Sequence, residues 1–85
     1  MEVVVKVNNY DPKLGIELNW INNFEIIASH NKDEIIIKAN KEGLLSLGNH
    51  FISLAQEDVP IGTHIHLDEY NSLEEGSDEM IIERM

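Results

Sequence analysis

The chain has 85 residues and no cysteine, so one small domain spanning residues 1–85 is expected, without disulfides or cysteine-based zinc sites. Sixteen acidic residues against six basic ones give a net charge of −10, too acidic a balance to neutralise a nucleic-acid backbone. No apolar run approaches the roughly 20 residues of a membrane helix, and Met1-Glu2-Val3-Val4-Val5-Lys6 lacks the basic start and long apolar stretch of a secretory signal. A cytoplasmic protein with no membrane partner is the expectation.

Residues 2–7 are valine-rich and read as a first strand. Asn8-Asn9-Tyr10-Asp11-Pro12-Lys13 is a turn cluster in which Pro12 sets φ. Ile16, Leu18 and Trp20 then alternate with Glu17 and Asn19, which reads as a second strand over residues 15–20. Two further strands, 24–29 and 34–39, flank His30-Asn31-Lys32-Asp33 as the loop of a hairpin. Ile35-Ile36-Ile37 in the second arm suggests a central, well-covered strand.

A helix is expected over residues 41–57, with Asn40 as its N-cap. Leu44, Leu47, Phe51, Leu54 and Ala55 recur at helical spacing, and Leu45, Gly48 and Ile52 widen the apolar stripe. Ser46, Asn49, Ser53 and Gln56 fall on the other side, where serines face solvent. Gly48 costs about 1 kcal/mol relative to alanine, and its place in the stripe suggests close packing against a sheet. Pro60 and Gly62 end the helical region, and a histidine-rich strand follows. In the loop over 71–78, Glu74-Glu75-Gly76 favours an exposed turn before a last strand over 79–84. The sum is an α+β fold of order β-β-β-β-α-β-β: a mostly antiparallel sheet of five or six strands with one helix packed on one face. A sheet of this size must manage its edges, and pairing with a second copy as a homodimer is one remedy.

The segment Gly62-Thr63-His64-Ile65-His66-Leu67-Asp68-Glu69-Tyr70 carries the clearest pattern. As a strand it sets His64, His66 and Asp68 on one face and the core residues Ile65 and Leu67 on the other. The polar face has metal-ligand chemistry, with zinc the first ion to test. It lacks a certain ligand from a second element, because His30 and His50 are the only other histidines and His50 falls on the far side of the sheet. The sequence favours a polar strand surface or an interface over a metal centre.

Catalysis finds little support. No nucleophile elbow or oxyanion loop accompanies Ser46 or Ser53, and no phosphate loop, dinucleotide fingerprint or calcium-loop pattern is present, so neither an enzyme nor a cofactor is expected. Trp20, the sole tryptophan, reads as a core anchor in preference to an interface hot spot. From Glu57 onward nine carboxylates face one base, Arg84, which would steer the protein toward a basic partner.

The run Glu42-Gly43-Leu44-Leu45-Ser46-Leu47-Gly48-Asn49-His50-Phe51, the strand His64-Ile65-His66-Leu67-Asp68 and the ending Gly76-Ser77-Asp78-Glu79-Met80-Ile81-Ile82 together resemble a family of bacterial immunity proteins of polymorphic toxin systems. The likeness is to the immunity protein thirty-two family and covers residues 41–85. It implies a cytoplasmic binder that neutralises a cognate protein toxin, with neither the toxin's identity nor the contact residues specified. A small acidic domain suits a basic target such as a nuclease groove. Asp68, Glu69, Glu74, Glu75, Asp78 and Glu79 are the expected partner-binding residues.

Overall fold

The computed structural model describes all residues, 1–85. Strands β1 (Ile26–Asn31) and β2 (Glu34–Ala39) form an antiparallel hairpin, with Asn31 opposite Glu34. His30 and Asn31 therefore belong to the strand, and the turn is Lys32-Asp33 alone, with Lys32 at φ 56°. Helix α1 (Lys41–Leu54) follows after one residue, and strands β3 (His64–Leu67) and β4 (Met80–Glu83) pair antiparallel as a second sheet. The α+β class and the order around the helix stand. The single sheet of five or six strands does not, because the chain forms two separate two-stranded sheets.

The two strands expected over residues 2–7 and 15–20 are absent. Only an isolated bridge between Asp11 and Gly15 closes the turn between these segments, with Leu14 N and Gly15 N donating to Asp11 O. The segments do run side by side, but side chains join them in place of a ladder. Asn8 Nδ2 donates to Glu17 at 3.0 Å, and Asn19 Nδ2 donates to the Lys6 carbonyl at 3.2 Å. The helix and the turn after it claim further main-chain groups here: Asn49 Nδ2 reaches Lys6 O at 2.8 Å, Gln56 Nε2 reaches Asn8 O at 3.1 Å, and Tyr10 N donates to Gln56 Oε1 at 2.9 Å. Lys6 O, Asn8 O and Tyr10 N thus find side-chain partners in the absence of a partner strand.

This arrangement reverses half of the helix. Ser46, Asn49, His50 and Ser53 are buried, whereas Leu44, Phe51 and Ile52 are exposed. The serines do not face solvent; Ser46 Oγ accepts from Ile21 N at 2.9 Å. Leu47 and Leu54 are buried as the apolar stripe requires, and Leu47 joins Ile26, Ala28, Leu67 and Leu73 in the core cluster. Trp20 packs against that cluster, stacked on Phe24 with ring centroids 4.3 Å apart, which agrees with its reading as a core anchor.

Asn40 caps α1 as expected, its Oδ1 accepting from Gly43 N at 2.8 Å. The same side chain donates to Asn23 O and accepts from Glu25 N, so the cap also ties the helix to the entry of β1. The close approach between helix and sheet is at Gly43, not Gly48. A Cβ on Gly43 would sit 2.6 Å from the Glu25 carbonyl oxygen, whereas one on Gly48 would meet nothing within 4 Å. The helix stops at Leu54 instead of residue 57, with Ala55 as its C-cap. Arg84 supplies the end: its guanidinium donates to Leu54 O at 2.7 Å and Gln56 O at 2.8 Å, satisfying carbonyls that a helix terminus leaves free.

The β3–β4 connection joins the two sheets. Glu74 N donates to Ile26 O at 2.9 Å and Asp78 N to Ala28 O at 2.8 Å, so this loop covers one edge of β1. Strand β2 is consequently an edge strand, and Ile35-Ile36-Ile37 is not the covered central segment its composition suggests. Ile35 is 86% exposed and Ile37 42%. Isoleucine runs report β-propensity well, but they do not say how many neighbours a strand has.

Candidate functional site

Strand β3 alternates as its sequence dictates, with Ile65 and Leu67 buried and His64 and His66 exposed. Its pairing with β4 sets Glu83 opposite His64 and Ile81 opposite His66, and Glu79 follows on the same face beside Asp68. His66 Nε2 lies 3.7 Å from Asp68 Oδ2 and 3.6 Å from Glu79 Oε2. His64 is not part of this group; its Nδ1 faces the Gly62 carbonyl at 3.2 Å, which makes that nitrogen the N–H donor. Of the three candidate ligands on this strand, His66 and Asp68 lie together with Glu79, and the ligand atoms of these three residues are within 4.8 Å of one another. Glu79 enters from a second strand, a convergence visible only once the β3–β4 register is known. His66 and Glu79 are open to solvent, so both side chains are accessible to a partner molecule.

The six acidic candidates divide by the work they do within the loop. Asp68 Oδ1 accepts from Tyr70 N and Asn71 N, and its carbonyl accepts from Leu73 N, so it organises the turn after β3. Asn71 returns the contact, its Oδ1 accepting from Asp68 N. Glu69 accepts from Gly76 N at 2.8 Å, and its hydrogen bond to the Tyr70 phenol, reinforced by its charge, holds that phenol above its ordinary pKa. Asp78 accepts from His30 Nδ1 at 2.5 Å, and this hydrogen bond and the adjacent negative charge raise the His30 pKa. Ser77 Oγ accepts from Ala28 N at 3.2 Å beside it. Glu74, Glu75 and Glu79 make no hydrogen bond through their carboxylates and are exposed. Arg84, the only base in this half, is committed to the end of α1. No lysine or arginine of its own half of the chain pairs with the carboxylates of the segment, and only His66 stands beside two of them.

The polar stripe of the helix offers no catalytic pair. His50 is fully buried and stands edge-on to Trp20 with ring centroids 4.3 Å apart. Burial pushes its pKa down to about 4, and neither ring nitrogen has a hydrogen-bond partner. Ser53 Oγ is likewise unpartnered, so no serine–histidine hydrogen bond exists to activate a nucleophile.

Residues 34–85, spanning β2 to the C-terminus, match the family model described as Immunity protein 32. No curated protein and no solved structure matches the chain. No helix is long and apolar enough to cross a membrane. The matched region contains both strands of the histidine-bearing sheet, the whole helix and the acidic loop, whereas Trp20, Ala28 and His30 lie before it. The chain belongs to the immunity protein 32 family.

Proposed function

We propose that this protein acts in the cytoplasm as an antitoxin, binding and neutralising a cognate protein toxin without catalysis. The observation that carries the reading is family membership over residues 34–85. The acidic loop supports it: three exposed carboxylates, Glu74, Glu75 and Glu79, stand on a segment bonded to β1 at Ile26 and Ala28. A preordered charged surface speeds encounter and loses little entropy on docking. The complementary target is basic, and a nuclease whose groove attracts phosphate has the right sign of charge.

In this proposal, Glu74, Glu75 and Glu79 meet the toxin, and Asp68, Glu69 and Asp78 contribute charge while holding the surface in shape. The triple variant Glu74→Lys, Glu75→Lys, Glu79→Lys is expected to bind the cognate toxin domain at least about tenfold more weakly. Its affinity should also depend less steeply on salt, because fewer attractive charges remain to be screened. Calorimetric titration at two salt concentrations measures both quantities. Unchanged affinity together with an unchanged salt slope would reject the acidic face as the binding surface.

A further inference from the structure

We propose that β2 is a self-pairing edge through which two copies of this chain associate antiparallel. Asn40 N donates to Glu25 O at 3.1 Å, so the even-numbered residues of this arm direct their main-chain groups toward β1. Ile35, Ile37 and Ala39 consequently direct theirs away from the hairpin, and no other strand meets them. The opposite edge of the hairpin is covered by Glu74 and Asp78. One edge is closed and the other is open.

The open edge is also where the apolar face outruns its cover. Ala28 lies opposite Ile37 and His30 opposite Ile35, which places both isoleucines on the face whose Ile26 and Ala28 are buried in the core. At 86% and 42% exposure, Ile35 and Ile37 extend that face into solvent. Such an edge is a template for another strand.

Charge selects the occupant and the register. Outward-directed residues must oppose outward-directed residues, so odd-numbered positions pair with odd-numbered positions. Centred on Ile36, the pairing sets Ile35 against Ile37 of the second copy, Ile36 against itself, and Glu34 against Lys38 twice. Within its own hairpin Glu34 faces Asn31 and Lys38 faces Ile27, and neither forms an ion pair, so both charges are free for that role. Centring on Ile35 would instead oppose Lys38 to Lys32, and centring on Ile37 would oppose Lys38 to Ile36. The strand is thus complementary to itself in one register. A strand of six residues is about 20 Å long, a smaller contact than the roughly 1,200–2,000 Å² of a standard interface, so the dimer is weak and concentration-dependent.

Sedimentation equilibrium from about 10 µM to 1 mM tests this, with mass expected to rise from 9.7 kDa toward twice that value. Glu34→Lys and Lys38→Glu should each weaken association about tenfold, and the double exchange should restore it, because it rebuilds both ion pairs. The chain has no cysteine, so Ile36→Cys introduces the only thiol. Residues at that axis would have Cα atoms about 4.5 Å apart, within disulfide reach, and oxidation should yield a covalent dimer that Ile35→Cys does not. A mass of 9.7 kDa at every concentration, or association indifferent to the single charge exchanges, overturns the proposal. Protection of β2 amides only after toxin is added would do the same, since it would assign the edge to a toxin strand.

Discussion

His50 is an ionisable side chain whose environment favours its neutral form. Its pKa is pushed down to about 4 in the folded chain from the ordinary 6.5, by burial. The unfolded chain therefore takes up a proton as pH falls through 6.5, while the folded chain resists until near 4. The stability contribution is fully present above pH 6.5 and is lost between 6.5 and 4, by roughly 3–4 kcal/mol at most. His30 acts with the opposite sign: its raised pKa favours the folded state at low pH, and that contribution fades as pH rises through its folded value. Urea midpoints for the wild type and His50→Leu at pH 7.5 and 4.5 separate the two effects. The variant, which still has His30, should lose less stability on acidification; equal losses would place the sensitivity elsewhere. The two helix glycines make a second contrast at this scale. Gly43→Ala should destabilise by about 1–3 kcal/mol, since its methyl meets a main-chain oxygen. Gly48→Ala should stabilise by up to about 1 kcal/mol, because its site is open and alanine favours the helix. Thermal denaturation of both variants checks the opposite signs.

At the scale of elements, the helix was only partly legible. Its N-cap and its start at Lys41 follow from Asn40 and the apolar spacing, and they stand in the structure. Which face turns inward did not follow, because Ser46 and Asn49 are drawn inward by main-chain groups of Ile21 and Lys6, more than twenty positions away. The core is thin, with eight buried hydrophobic residues, so bonding the N-terminal segment to a polar stripe supplies cohesion that apolar burial alone does not. Asn49→Ala removes the shorter of two hydrogen bonds to the Lys6 carbonyl, leaving that from Asn19 Nδ2, and should cost about 1 kcal/mol. With Gln56→Ala added, amide exchange over residues 6–10 should accelerate well beyond that in β1. Exchange that rises equally in both places would show that the stripe supports the whole fold and not this segment. The hairpin was legible for a different reason: its turn is a local signal, whereas the edge position of β2 depends on the loop that closes the far side of β1.

For the whole molecule, charge and family could be read before any coordinates, and the acidic half of the chain follows directly from composition. The loss of triple-variant binding expected for the acidic loop belongs at this scale, since long-range steering sums over all exposed charges. The candidate site was legible as a pattern on one strand and illegible as a constellation. His-x-His alternation determines which side chains share a face, because that is a property of two neighbouring peptides. Whether Glu79 or His64 stands beside His66 depends on cross-strand register and on a loop that folds back to β1. The sequence by itself determined the two hairpin strands, the cap of the helix, the inward Ile65 and Leu67, and the sign of the surface. Only the tertiary structure decided that the sheet is two sheets, that the helix buries its polar stripe, and that β2 is left with an open edge. The physical reason is range: propensity, turns and alternation act over a few residues, whereas burial and edge cover are set by whatever distant segment satisfies the exposed backbone.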